Sequence, residues 1–244
     1  MSDSVSNYSI SKPTGKIPVI SSSIGKKLFM AVTGAAFILF VIGHLAGNLL
    51  FFAGQDALNS YALALKELPL VIWSSRVFLL LFFVTHIFLG IKLVMENRSA
   101  RPIKYARVAN VTSTLPSRTM ILSGLVLLFF VIYHLLHFTF LTTNPEYSTL
   151  VDSSGRFDVY SMVIYGFSNV YISAAYIIAV IFLSMHLYHG FFSMFQTFGA
   201  TRVHLIPKLQ LLSKVFSILI LLGYLSIPIA VLTGFANFQL GGGN

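Results

Sequence analysis

Five stretches of this chain, near residues 28–52, 74–95, 119–142, 171–197 and 213–236, each run for more than twenty residues with almost no charge. A helix needs about 20 apolar residues to cross the hydrocarbon core of a bilayer. Lone strands are excluded, because a single span in lipid must satisfy its own backbone and these runs show no period-two alternation. Only 9% of the residues are charged, against roughly 25% in an average soluble domain. The reading is therefore all-α: an integral membrane bundle of five transmembrane helices over residues 23–244, preceded by a polar, Ser-rich tail at 1–22. That tail is polar and the first apolar run is too long for an h-region, so no cleavable signal peptide is expected.

The formal net charge of +9 reads first as topology. Thirteen of the 16 Lys and Arg fall on the tail, the 96–118 loop, the 198–214 loop and their flanks, leaving Lys66, Arg76 and Arg156 on the other side. By the positive-inside rule the N-terminus is cytoplasmic and the C-terminus outside. The 23 Phe and 11 Tyr are spread along the apolar runs, which speaks against a nucleic-acid surface and for the lipid bilayer as partner. The loops at 53–73 and 143–170 become outer connections, with Tyr61, Leu63, Trp73, Phe157 and Tyr160 available to pack at the interface. No internal repeat is evident. With no Cys, the chain cannot hold a thiolate-ligated iron–sulfur cluster.

Six of the seven histidines lie inside these spans: His44, His86, His134, His137, His186 and His189. An ionisable residue in lipid is costly and usually faces a partner or a bound group. At 1.5 Å per residue, His44 and His134 lie ~24 and ~21 Å from the cytoplasmic side, and His86 and His186 each lie ~15 Å from it. Two levels, each with one histidine from each of two helices, suit two bis-histidine haems, whose irons take axial ligands from opposite faces at one height. Gly43 and Gly47 beside His44, Gly90 after His86 and Gly190 after His186 offer clearance for a flat macrocycle. The plainer reading for any one of these is a buried histidine bonded to a carbonyl or hydroxyl of another helix. That reading is favoured for His137 and His189, with a place beside a haem or quinone as the alternative, and His204 in the basic loop reads as solvated. Di-iron sites need carboxylates beside histidine, and the middle of the spans offers none.

SSIGKKLFMAVTG at 22–34, GHLAGNLLFFAG at 43–54, SRVFLLLFFVTHIFLG at 75–90, SGLVLLFFVIYHLLHFT at 123–139 and HLYHGFFSMFQTFG at 186–199 together resemble the cytochrome b membrane-anchor subunit of succinate dehydrogenase and fumarate reductase, in its single-subunit, five-helix, dihaem form. The resemblance covers about 20–236. It implies two haem b groups, the outer on His44 and His134 and the inner on His86 and His186, with His137 and His189 as alternative ligands. It also implies menaquinone as redox partner, flavoprotein and iron–sulfur subunits docked on the cytoplasmic face, and a bacterial cytoplasmic (inner) membrane. Higher oligomers of the whole complex are compatible with it. Ser23 and Lys27 become candidates for an inner quinone site, and Trp73, Arg76 and Arg118 for haem propionate contacts. The dicarboxylate site belongs to a partner subunit, so this chain is the electron-transfer part of the enzyme. In some fumarate reductases of the family a glutamate two residues before the fourth-helix ligand belongs to a proton path; here that position is Ser184. The expected direction is therefore succinate oxidation.

Two other functions fit the same sequence. One is the cytochrome b subunit of another quinone-linked complex, a hydrogenase or formate dehydrogenase. The other is a haem-free transporter that uses its histidines as proton relays.

Overall fold

The computed structural model describes residues 22–100, 119–200 and 202–235. Among these residues, seven α-helices follow in order: α1 Ser23–Leu49, α2 Gln55–Lys66, α3 Pro69–Ser99, α4 Met120–His134, α5 Val159–Ser168, α6 Val170–Thr197 and α7 Ile206–Leu232. Five are long and apolar enough to cross a membrane: α1, α3, α4 with its continuation to Thr139, α6 and α7. Among the described residues, extended backbone pairs only at an isolated bridge between Val151 and Phe157.

The helix ends follow from local chemistry. Ser22 caps α1 by accepting from the Gly25 N–H at 3.0 Å, and Asn169 opens α6 by accepting from the Tyr171 and Ile172 N–H groups; each supplies a partner for amides that a helix start leaves bare. Prolines in the first turns of α3 and α7 lose no intrahelical bond there. At the end of α4 the chain widens into a π turn, Leu135–Thr139, with the Phe140 N–H reaching the Leu135 carbonyl.

The spanning helices pack as a chain of neighbours. α1 lies against α3 and α6, α4 lies against α6, and α7 braces the outside of α6 and α1. α3 and α4 do not pack along one another, so the four histidine-bearing helices form an arc with one open side. Hydroxyls tie α7 to both neighbours: Ser184 Oγ of α6 donates to the Ser217 carbonyl at 3.0 Å, and Tyr224 of α7 donates to the Val41 carbonyl of α1 at 3.0 Å. Leu45 fills the space over Gly223, where a Cβ would come within 2.7 Å of its Cδ2. On α3, Leu89 alone is buried. One end of that helix is tied to α1 by the ion pair of buried Lys26 with Glu96.

The opposite end is closed by the two connections that the sequence leaves as loops, and both contain a helix. α2 carries Asn59, which is wholly buried. Its amide donates to Asp152 Oδ2 at 3.1 Å and Asp158 Oδ1 at 2.9 Å, and its oxygen accepts from the Tyr160 N–H at 3.1 Å. Arg156 bridges the same cluster, donating to Asp152 at 2.7 Å and Ser60 at 2.6 Å and pairing with Asp56 at 2.8 Å. Burial pushes the Asp152 carboxyl up, but donations from the Arg156 and Ser154 amides, the Asn59 amide and the Arg156 guanidinium outweigh it and hold the group at about 2.

Asn59→Ala strips donors from two carboxylates and an acceptor from a buried amide, so a loss of about 2–3 kcal/mol is expected, read as a lower melting temperature in detergent. Because Asp152 is depressed below its ordinary 3.8, its contribution is complete above that value and disappears as pH falls through about 2. An acid titration of the same melt, in which the wild type loses more stability between those limits than Asp152→Asn does, checks the sign.

Candidate functional site

The histidines predicted to share levels do meet. The rings of His44 on α1 and His134 at the end of α4 lie 5.8 Å apart between centroids, nearly perpendicular at 83°. The rings of His86 on α3 and His186 on α6 lie 6.3 Å apart at 59°. The helices that carry each pair do not pack directly on one another. Each pair spans a diagonal of the arc, its rings meeting where the backbones stay apart. Two imidazoles bound on opposite sides of one metal at ~2.0 Å place their centroids about 6 Å apart, so both separations suit that geometry. No group of three or more His, Asp or Glu that could hold a metal occurs among the described residues; the histidines gather in twos.

The His86–His186 pair is held by hydroxyls. Thr33 Oγ1 lies 3.0 Å from His86 Nδ1, and Ser123 Oγ lies 3.2 Å from His186 Nδ1. Both hydroxyls already spend their proton on their own helix: Thr33 on the Phe29 and Met30 carbonyls, Ser123 on the Met120 carbonyl. A hydroxyl has one proton to give. With that proton on the helix carbonyl, the bond to each ring runs from Nδ1–H to oxygen, an arrangement that puts the hydrogen of the neutral imidazole on Nδ1 and leaves the Nε2 lone pair free.

The other pair has a different support. Tyr176 of α6 places its hydroxyl 3.4 Å from His134 Nδ1 and 3.0 Å from His137 Nδ1. His137 sits in the π turn with no exposed surface, and its Nε2 is buried without a partner. Phe130, Tyr133, Phe138 and Phe167 enclose this corner in edge-to-face and tilted contacts. π turns recur at functional sites because they re-aim side chains, and here the turn brings His137 as well as His134 to one phenol.

The glycines divide. Cβ atoms added at Gly43 or Gly190 would meet nothing within 4 Å, so neither glycine is needed for close helix packing. Gly47 is covered by the Tyr61 ring and Gly90 by Met30, and those two serve helix packing. Gly34 and Gly124 face the Cε1 atoms of His86 and His186, each at 3.7 Å from where its Cβ would stand.

The remaining candidates are scattered. Arg76 is exposed with its guanidinium over Trp73, 5.0 Å from the ring centre, at the α2 end of α3. Ser23 and Lys27 are exposed, while their neighbour Lys26 turns inward to Glu96. His189 is half-buried one turn after His186. Ser184 is buried with its proton committed to the Ser217 carbonyl. Arg118 and most of the basic 96–118 loop lie outside the described residues.

Comparison with family models, with curated proteins and with solved structures found no match. Function therefore has to be argued from the site.

Tyr176→Phe leaves two buried imidazole nitrogens without their shared partner. It is expected to cost about 1–3 kcal/mol of stability, measured by thermal melting of the detergent-solubilised chain, whereas Tyr188→Phe should melt within about 0.5 kcal/mol of wild type.

Proposed function

We propose that the chain is the dihaem cytochrome b membrane anchor of a succinate:quinone oxidoreductase, passing electrons between an iron–sulfur subunit on the cytoplasmic face and menaquinone in the bilayer. The observation that carries it is the gathering of four intramembrane histidines into two diagonal pairs, each at a separation that suits axial ligation of one metal. The fit extends to the support. The hydroxyls on Nδ1 leave Nε2 as the ligating atom in His86 and His186, and Gly34 and Gly124 lie against the Cε1 atoms of those two rings.

Haem, when bound, supplies one-electron chemistry. The residues hold it at two depths. His44 and His134 take the level nearer α2, and His86 and His186 the level nearer Lys26. Tyr176 serves the first level by accepting from His134 Nδ1–H and donating to His137, which matches the tautomer that the hydroxyls impose at the second. The apolar walls keep water from both, and the chain itself contributes no nucleophile, acid or base. The succinate direction rests on Ser184, whose committed hydroxyl cannot take up and release a proton as a carboxylate would.

His44→Ala and His134→Ala should each remove one haem of two, His86→Ala and His186→Ala the other, while His137→Ala and His189→Ala keep both. Reduced-minus-oxidised spectra and haem-to-protein ratios of the purified complex check this. A complex with no b-type band refutes the proposal, and pH-dependent flux in liposomes by an iron-free chain points to the relay transporter. Co-purification with a nickel or molybdenum subunit would mark the cytochrome b of a hydrogenase or formate dehydrogenase instead.

A further inference from the structure

Thr33-Gly34 and Ser123-Gly124 stand at the same distance from a pair histidine: eleven residues separate Thr33 from His44 on α1, and eleven separate Ser123 from His134 on α4. Eleven residues are three helical turns, about 16 Å, and return to nearly the same face. Each of these helices thus contributes a histidine to one level and a hydroxyl–glycine step to the other. Thr33-Gly34 acts across the interface on His86 of α3, and Ser123-Gly124 acts on His186 of α6.

Both residues of each step touch the same ring. The hydroxyl takes the Nδ1 hydrogen, at 3.0 Å for Thr33 and 3.2 Å for Ser123. The glycine lies against Cε1, the ring carbon between the two nitrogens, with 3.7 Å left to a would-be Cβ. Alanine fits there in ordinary contact. A branched side chain would push the ring aside, and with it the Nε2 atom.

We infer that the Thr33-Gly34 and Ser123-Gly124 steps are paired positioning clamps that fix the tautomer and orientation of His86 and His186 and thereby set the reduction potential of the haem those two hold. The inference rests on the haem reading above. An imidazole that donates from Nδ1 is a more basic ligand at Nε2, and a more basic ligand favours the oxidised metal. Losing the acceptor therefore raises the midpoint potential. The plainer role of Thr33 and Ser123 is hydrogen bonding back to their own helix, common for such residues in apolar helices. That role predicts no change in potential at all.

The test uses the intact complex with all subunits. Thr33→Val, which keeps the shape, Ser123→Ala, Thr33→Ser and Gly124→Leu are compared with wild type by redox titration, low-temperature EPR and haem content. His86→Ala identifies which of the two signals belongs to this level. The expected result is an upward shift of that midpoint and a moved low-spin g value in Thr33→Val and Ser123→Ala, with the other haem unmoved some 16 Å away. Thr33→Ser should retain the wild-type potential, and Gly124→Leu should lower occupancy of this level alone. If both hydroxyl-deleted variants keep two haems at wild-type potentials and g values, the clamps are not positioning residues, though the haem reading stands. A wild-type complex without b-type haem overturns both.

Discussion

A neutral imidazole has one nitrogen that donates and one that accepts, and in hydrocarbon neither can turn to water. Each histidine inside a span must find partners for both atoms or leave one bare at a cost of a few kcal/mol. The bundle is arranged around that demand. Thr33, Ser123 and Tyr176 each bring one hydroxyl to an Nδ1, and the paired rings come together where the helices that carry them stay apart. An axial metal is one partner that satisfies the second nitrogen without needing another polar side chain in lipid.

The two ends of the bundle tie these helices together. At one end the buried Lys26–Glu96 pair fixes α1 against α3. At the other, Asn59 gathers two carboxylates and an amide from the chain between α4 and α6. α3 needs such anchoring, since it buries little of its own surface: Phe37 packs edge-on against Phe83 and His86, Met30 covers Gly90, and most of its length faces outward.

Span number, span position and the pairing of histidines by depth were legible in the sequence, because hydropathy fixes where a helix crosses and a rise of 1.5 Å per residue fixes height. Rotation about the helix axis was not. α1 is apolar nearly all round, so its periodicity says little about which side faces α3. The resemblance singles out Ser23 and Lys27, and only the fold shows that their neighbour Lys26 is the one that turns inward. The hydroxyl partners of the rings were hidden for the same reason. One signal was available: the identical spacing from Thr33-Gly34 to His44 and from Ser123-Gly124 to His134 is a repeat of two short elements, too sparse to register as a duplicated half. Asn59 gave no warning, because one amide in a short amphipathic helix resembles any solvated residue.

α7 carries none of the paired histidines, yet it braces α6 through Ser217 and α1 through Tyr224 and Gly223. It is also the last of the five candidate spans in chain order among the described residues. All four paired histidines thus precede, in the sequence, the helix that braces α1 and α6. A chain stopped short of Ile206 would hold every histidine named above and still lack the wall that sets α1 and α6 in place.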